Sequence, residues 1–342
     1  MKTAAMCLTL AVVVAGLCGP APADPLPGQV IKFAQQPMVA TPVVIPGEVI
    51  MHATYFGHDE KSQANYVGNV NGWDGYSGNA WMADDFADQL DQDVVHVRWW
   101  GSYIGQQPPP AAGGHINKFL IEFLSDQPGP AGGGYSRPLA PLLSQVVDKG
   151  LLTPGSGTFT ESMIRTPDPL LGEGLYEYNA ELKLPFAQQA HTVYWLKIVA
   201  LDDQPAENYT WGWHNRDYTK FDPLACGPLT CGLVLPGERV VGLLPDGQPI
   251  WHFQDDAVQG SSIHVWLPPT GGMGMEVTED LLGAQPKNYL APFDGPSLIE
   301  LQSKDLAFQL FAVPEPTTLA LLGLGGLSAV ALRVRRSRFH RG

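Results

Sequence analysis

The feature of this sequence that most constrains its fold is an alternation of apolar and polar residues with a period of two. The alternation is cleanest in residues 176–184 (YEYNAELKL), where even positions are apolar and odd positions are polar. That period is typical of a β-strand with one buried face and one face in water. No segment sustains the 3.6-residue period of a helix, and residues 139–151 are the one candidate for a short helix. The pattern therefore predicts an all-β chain.

Further strands are expected wherever Val, Ile, Trp, Tyr and Phe are concentrated between turn residues. Gly and Pro supply 38 and 31 of the 342 residues, which suits many short strands joined by turns. Strands that follow one another without helices favour antiparallel pairing, and nine to eleven of them favour a β-sandwich of jelly-roll type. The other candidate strands are residues 43–52, 81–86, 94–103, 116–124, 193–201, 211–214, 263–267, 298–302 and 306–311.

The N-terminus has the layout of a signal peptide. Lys2 precedes an apolar run over residues 4–17, and Ala21 and Ala23 form a small-x-small site. Cleavage by a signal peptidase is therefore expected after Ala23. A lipoprotein site at Cys18 is the alternative, but Leu17 stands where such a site carries a small residue.

The C-terminus combines a short motif, an apolar stretch and a basic end. Pro314, Glu315 and Pro316 are followed by residues 317–334, which carry no charge except near their far border. Eighteen residues are only just long enough to cross the ~30 Å hydrocarbon layer of a bilayer as a helix. The basic end is an arginine cluster, which would stay cytoplasmic and leave the body outside: Arg333, Arg335, Arg336, Arg338 and Arg341.

This three-part tail resembles the PEP-CTERM sorting signal of bacteria. The resemblance implies recognition by an exosortase-type membrane peptidase, with Pro314, Glu315 and Pro316 as the recognition element and Arg333, Arg335 and Arg336 in the basic end. It also implies a protein held in the membrane by a C-terminal helix before processing and then released to, or attached at, the outer surface. Exopolysaccharide is the partner that the resemblance suggests.

The chain divides into a signal peptide (1–23), an extended Pro-rich leader (24–46), a β-sandwich domain (47–312) and the sorting tail (313–342). Within the body, residues 82–86 (MADDF) and 97–103 (VRWWGSY) are followed by YWL, WGW, DDA and DLAF segments. Together they resemble an uncharacterised β-domain of exported bacterial proteins. That resemblance implies a β-sandwich and no established activity.

The charge and the cysteine content of the chain limit the partners and the metal sites that we expect. Between Asp24 and Val313 there are 33 acidic and 14 basic residues, so the body carries about −19 and is not expected to bind nucleic acid. The mature chain keeps Cys226 and Cys231, which we expect to form a local disulfide in an oxidising compartment. A zinc half-site is the rival interpretation, but the chain has no second cysteine pair to complete it.

Two constellations could bind a ligand. Asp84, Asp85, Asp255 and Asp256 could supply oxygens to calcium if folding joins the two segments, while a solvated turn is the simpler interpretation. An upstream loop with Asn69, Asn71 and Asp74 lacks the full pattern of an EF-hand. Among nine tryptophans, Trp73 and Trp251 lie in polar segments and are the expected exposed pair for stacking on sugar rings. No cofactor is expected otherwise.

Catalytic motifs are absent from the sequence, so we do not predict an enzyme. There is no His-Glu-x-x-His pair and no Gly-x-Ser-x-Gly elbow. Glu161, Glu173, Glu177 and Glu181 could be considered for a glycosidase pair, but Glu177 and Glu181 fall on the polar face of a strand, where solvation is expected. The sequence thus predicts an exported surface or matrix protein with a structural or adhesive role. A carbohydrate-binding module, with or without calcium, is the alternative, followed by a secreted hydrolase.

Overall fold

The computed structural model describes the body of the chain with several gaps. The described residues are 26–44, 52–104, 115–129, 135–166, 174–204, 210–222, 224–225, 237–244, 246–254, 256–269, 274–290, 299–302 and 304–314. Within these ranges there are twenty β-strands and no α-helix, so the all-β prediction is confirmed. The two predicted terminal segments, the signal peptide and the C-terminal helix, lie outside the described residues.

The strands are numbered in chain order. The first ten are β1 (Val30–Gln35), β2 (Thr41–Val44), β3 (His52–Tyr55), β4 (Asp59–Lys61), β5 (Gln63–Val70), β6 (Trp73–Phe86), β7 (Val94–Ile104), β8 (Lys118–Gln127), β9 (Arg137–Lys149) and β10 (Thr158–Arg165). The second ten are β11 (Leu175–Phe186), β12 (Tyr194–Asp202), β13 (Thr210–His214), β14 (Glu238–Leu243), β15 (Pro249–Phe253), β16 (Val258–Gly260), β17 (Ile263–Leu267), β18 (Glu276–Glu279), β19 (Gln285–Pro286) and β20 (Phe308–Ala312).

Sixteen of the described strands join in one large sheet. Its hydrogen-bonded path runs β1-β20-β7-β11-β10-β9-β8-β12-β5-β6-β16-β19, with β13 and β4 attached at β7 and with β17 and β18 attached at β6. β14 and β15 form a separate two-stranded ribbon, and β2 and β3 form another. The first and the last described strands of the body, β1 and β20, are therefore neighbours at one edge of the sheet.

Aromatic side chains dominate the core. Trp99 and Tyr178 stack at 5.3 Å between ring centroids, and Phe119 meets Trp99 edge-on at 5.0 Å. Such pairs contribute about 0.5–1.5 kcal/mol each beyond the burial of their area. A second cluster surrounds Trp81 and Trp195, and a smaller one lies under the β14–β15 ribbon. Six of the nine tryptophans are buried, as their positions within strands predict.

The pairing is mixed, so the prediction of antiparallel pairing throughout is wrong at two places. β9 and β10 pair in parallel where Gly155 and Gly157, both at positive φ, return the chain between them. β5 and β12 also pair in parallel, and because they are distant in sequence no hairpin sets their direction. The jelly-roll order of strands stays a prediction.

Three local predictions need correction. Residues 139–151 lie mostly in strand β9, because β8 supplies their backbone partners over almost its whole length. Residues 299–302 form a turn and contain no strand. Strand β11 is buried on both faces over its first eight residues, because β7 and β10 flank it and polar neighbours cover its polar face.

Part of the predicted leader belongs to the sheet. Residues 24–46 include β1, which pairs antiparallel with β20 from Val30 opposite Ala312 to Gln35 opposite Phe308. The side chain of Phe33 is fully buried and packs on Phe86, Phe253 and Phe308. Residues 30–35 of this segment are extended because they pair with β20.

Candidate functional site

The acidic pair at the end of β6 lies inside the protein. Asp84 and Asp85 are both fully buried, because β6 is paired with β12 at this point. The Asp84 carboxylate accepts the backbone N–H of Leu306 at 2.6 Å and that of Asp85 at 3.0 Å. Two of the four predicted calcium ligands are thus buried, and the oxygens of one of them, Asp84, accept backbone N–H groups.

Asp84 belongs to a buried ionic cluster that we define as Asp84, Arg216, Glu238, His252 and Asp305. The Arg216 guanidinium donates to Asp305 at 3.0 Å and to Glu238 at 2.5 Å. The His252 ring nitrogen Nδ1 lies 2.6 Å from the second oxygen of Asp305. The cluster connects the end of β13, the β14–β15 ribbon and the segment before β20.

Two carboxyl groups of this cluster, Asp84 and Glu238, and the Arg216 guanidinium have shifted pKa values. Burial, and next the Asp305 carboxylate, raise the pKa of Asp84 well above its usual range. Burial raises the pKa of Glu238 to about 7, although Arg216 pulls it down. Glu238 and Asp305 raise the pKa of Arg216 against the effect of burial. The arrangement favours a permanently charged arginine with at least one protonated carboxyl group beside it.

The second acidic segment reaches the same cluster from its other side. Asp256 lies 3.9 Å from the Nε2 atom of His252, and Val258, two residues later, pairs with Ala83. Asp255 lies outside the described residues. Folding therefore brings the Asp84 and Asp256 segments near one another, with His252 and Asp305 between them. In the described part of the chain, no group of three or more His, Cys, Asp or Glu side chains has an arrangement that could hold a metal ion.

The upstream loop that offered further calcium ligands is a tight hairpin turn. Asn71 and Gly72 both have positive φ, as the two central residues of a type I′ turn require. The Asn69 side chain donates to Asp74 at 2.8 Å and accepts the Gly72 N–H at 2.9 Å. These oxygens serve the turn between β5 and β6.

The two tryptophans that we expected at the surface are partly exposed and lie on different sheets. Trp73 begins β6 in the large sheet, and Trp251 lies in β15 of the ribbon. The Trp251 ring packs on Phe221 with 4.7 Å between centroids, and half of the Phe221 side chain is exposed. Trp266 is also partly exposed, which the sequence pattern did not predict.

A surface cleft of about 480 Å³ lies where β8, β9 and β12 meet the segment after β15. Tyr194 lines the cleft but is buried, and its ring packs on Phe86 and Phe186 in the core. Asp126 accepts the indole N–H of Trp195 at 2.8 Å, which positions its carboxylate at the cleft. The lining includes Ser125, Asp126, Ser136, His191, Tyr194 and Gln254.

Two cleft residues hold backbone conformations that are unusual for residues with side chains. His191 has φ +59° and Gln254 has φ +38°, and only four described non-glycine residues have positive φ. The backbone N–H of His191 donates to the Asp88 carbonyl at 2.8 Å, which holds the turn in place. Strained positions of this kind cluster at binding and catalytic sites. The sequence pattern missed this cleft, since its residues come from four separate segments.

The glutamates considered for a glycosidase are buried in ion pairs and hydrogen bonds. Glu161 receives the Tyr103 hydroxyl at 3.1 Å and the Lys149 ammonium at 2.6 Å. The expectation that Glu177 and Glu181 are solvated is wrong: Glu177 lies 3.5 Å from Arg98, and Glu181 lies 2.7 Å from a His96 ring nitrogen. Glu173 lies outside the described residues.

The sorting end begins directly after the last strand. Val313 is half exposed and Pro314 is partly buried, and both follow β20 without a spacer. No described helix has the length and apolar character needed to cross a membrane. The remaining predicted residues of the two processing sites and of the disulfide lie outside the described residues: Ala21, Ala23, Cys226, Cys231, Glu315, Pro316, Arg333, Arg335 and Arg336.

The buried ionic cluster was also missed from the sequence, except for Asp84. A signal was present, since Arg216 and His252 stand within aromatic strand-forming segments of a chain in which only 16% of residues are charged. Charged side chains in such surroundings are usually paired when buried. Their partners could not be read from spacing, because Glu238 and Asp305 are distant from them in the chain.

Comparison with known protein families finds one match in the body of the chain and one in its C-terminal tail. No curated protein and no solved structure matches it. The PEP-CTERM protein-sorting motif matches residues 312–336, which confirms the predicted tail and makes this an exported protein that is transiently anchored at the membrane and processed by an exosortase. Residues 32–229, more than half of the chain, match a second family, which confirms the resemblance of the body to an uncharacterised domain. The chain belongs to the family described as Domain of unknown function (DUF7901).

Proposed function

We propose that the processed protein is presented at the cell surface or in the extracellular matrix, where its body has an adhesive role and binds polysaccharide in the Tyr194 cleft. The single observation that carries this proposal is the cleft itself, which brings hydroxyl, amide, imidazole and carboxylate groups together at the surface. Sugar-binding sites use a few polar groups placed together in a concave surface to bind the hydroxyl groups of the sugar. Two strained residues at the cleft add to the support.

The charge of the cleft favours neutral or amino sugars over acidic ones. Asp126 contributes a carboxylate, and the described lining contains no lysine or arginine. The body as a whole carries about −19. A polysaccharide rich in uronate, pyruvate or sulfate groups would be repelled at low salt, whereas a neutral glucan or a partly deacetylated amino-sugar polymer would not.

The proposal includes neither a bound metal nor catalysis. Burial and the nearby Asp305 carboxylate favour the protonated form of Asp84, and the Asp84 oxygens already accept two backbone N–H groups. Glu161 and Glu181 are each engaged by buried partners. Binding should therefore be unchanged by EDTA, and the bound polysaccharide should be recovered at its original length.

Calorimetry with the processed protein purified from culture medium tests this function. We expect saturable binding of a neutral glucan or an amino-sugar polymer, weakened at least tenfold by His191→Ala or Gln254→Ala, with Val67→Ala as an exposed control on the β5–β6 hairpin. Equal affinity in all three variants would exclude the cleft. If the folded protein binds neither the neutral glucan nor the amino-sugar polymer, a purely structural role is favoured.

The Trp251–Phe221 pair is a second candidate surface for the same function. Phe221 is half exposed, and Val240, which pairs opposite Trp251, is 48% exposed. An exposed aromatic platform of this kind can stack on a sugar ring without a cleft. If binding is lost on Trp251→Ala and retained on His191→Ala, the ribbon and not the cleft is the binding surface.

A further inference from the structure

The sorting tail begins directly after the buried strand β20, with only Val313 between this strand and Pro314. All five residues of β20 are buried, and the strand is paired with β1 on one side and with β7 on the other. Phe311, next to the end of the strand, packs on the His96 ring at 4.9 Å and lies under the Arg98 guanidinium at 5.3 Å. The position of Ala312 is therefore as rigid as the core.

Only a short segment connects the end of β20 to the uncharged stretch that would enter the membrane. The uncharged stretch of the tail starts at Thr317, four residues beyond Val313. An extended chain covers at most ~3.3–3.6 Å per residue, so four residues span ~14 Å. Before processing, the end of the sheet that carries Val313 must lie close to the bilayer and to the peptidase that recognises the motif.

The N-terminal end of the described body lies beside the end of β20. Val30 pairs with Ala312, so the beginning of β1 lies beside the end of β20. The Gln29 side chain donates to Glu181 at 2.8 Å and receives the backbone N–H of Leu26 at 3.1 Å, which fixes the preceding turn. Both ends of the described body therefore leave from one end of the sheet.

The cleft lies at this same end of the sheet, and the Asp91 side chain connects it to the groove beside Val313. Val313 lines a groove of about 290 Å³ together with Asp91 and Asp93. The Asp91 carboxylate accepts the backbone N–H of Ala190 at 2.6 Å, and the next residue is His191 of the cleft. We define the tail-root end as Gln29–Val30, Asp91–Asp93, Gln189–His191 and Val313.

The opposite end of the molecule is remote from this surface. β12 starts at Tyr194 in the cleft and ends at Asp202, which pairs in parallel with Asn65. β5 continues in the same direction to the hairpin turn at Asn71. At ~3.3 Å per residue, Val67 and the hairpin tip lie on the order of 40 Å from the cleft along the strands.

We propose that the tail-root end is the surface that faces the membrane-bound sorting peptidase, and that the cleft becomes accessible to polysaccharide only after the tail has been processed. The second half of this proposal rests on the proposed function of the cleft. The first half rests only on the pairing of β20 and the short tether. Polysaccharide binding and membrane anchoring then exclude one another, so the protein does not bind its ligand before it reaches the surface.

Site-specific photo-crosslinking of the full chain in membranes tests the orientation. A photo-reactive phenylalanine analogue replaces Asp93 or Gln189 at the tail-root end, or Val67 as an exposed control at the far end. We expect crosslinks to the peptidase, identified by mass spectrometry and lost in a strain without the peptidase, from positions 93 and 189 only. Equal crosslinking from position 67, or crosslinks that persist without the peptidase, would overturn the proposal.

A binding comparison tests the second half separately. Full chain anchored in membrane vesicles should bind a neutral glucan at least tenfold more weakly than the processed protein does, when accessible protein is matched by antibody titration. Equal affinity of the anchored and processed forms would overturn the exclusion. If the processed form binds no polysaccharide, the proposed function fails, and the crosslinks still decide the orientation.

Discussion

Among the glycines that the structure describes, Gly260 is the one at which an added Cβ atom would lie nearest to another atom. A Cβ atom added there would lie 1.9 Å from Cε2 of Trp81, which is fully buried and opposite Gly260 in the β6–β16 pair. The Trp81 indole donates to the Ser262 carbonyl at 3.0 Å and lies under the Lys197 ammonium at 5.1 Å. The indole is thus held from two sides and has no room to move.

Gly260→Ala should lower the free energy of unfolding by about 2–3 kcal/mol, because an overpacked core must shift the tryptophan or the strand. Urea denaturation followed by tryptophan fluorescence measures the change. Gly242→Ala in β14 is the matched control, since a Cβ there would lie 3.4 Å from Ile250, an ordinary contact. Equal stability of the Gly260→Ala variant and the parent would mean that β16 does not approach β6 so closely.

At the scale of elements, buried polar side chains connect neighbouring strands within the apolar core. The polar face of β11 carries Glu177, Asn179 and Glu181, and each bonds to a polar partner. Lys197 at the centre of β12 lies between Glu122 and Glu279, and all three side chains are buried. Removing one member of such a buried pair leaves an uncompensated charge, which is strongly destabilising.

The β14–β15 ribbon depends on the buried ionic cluster, and this dependence should vary with pH. Folding raises the pKa of Glu238 from 4.5 to about 7, so the folded state keeps a proton that the unfolded chain releases. The free energy of unfolding should therefore fall as the pH rises from about 4.5 to about 7, by up to about 3 kcal/mol from this group.

Glu238→Gln, which carries no titratable proton, should flatten this slope. Urea denaturation at half-unit pH steps measures it, with Glu276→Gln on the exposed edge of β18 as the control that retains the parental slope. Identical slopes in Glu238→Gln and the parent would contradict the raised pKa.

At the scale of the whole molecule, the chain closes on itself through β1 and β20. The Phe33 ring meets Phe308 at 5.1 Å and Phe253 at 5.3 Å, and thereby links the start of the chain, its last described strand and the ribbon. Residues 30–35 should therefore be required for the fold, although their Pro-rich surroundings read as a leader.

Phe33→Ala should lower the free energy of unfolding by about 3–5 kcal/mol, because it removes a fully buried ring from the core. Ile31→Ala is the matched control in the same strand, and with 38% of its side chain exposed it should cost about 1 kcal/mol. Thermal unfolding of the processed protein compares the two variants. A small effect of Phe33→Ala would mean that β1 is dispensable.

Properties that depend on a local pattern of residues could be predicted from the sequence. Period-two alternation and abundant turn residues predicted the all-β class, and the β17 strand Ile263–Leu267 was predicted to the residue. The Pro314-centred tail was recognised because a sorting signal is read as a linear motif. Each of these properties is encoded within a few consecutive residues.

The contacts between distant segments became known only from the three-dimensional structure. In the structure, Asp84 is buried beside Asp305, and both faces of β11 are buried. β5 pairs with β12 in parallel, and four segments form the Tyr194 cleft. A charged residue in a strand has the same local pattern whether water or a partner covers it. The partner is set by long-range strand pairing, and so the cluster, the cleft and their place beside the tail root emerged only once the sheet was assembled.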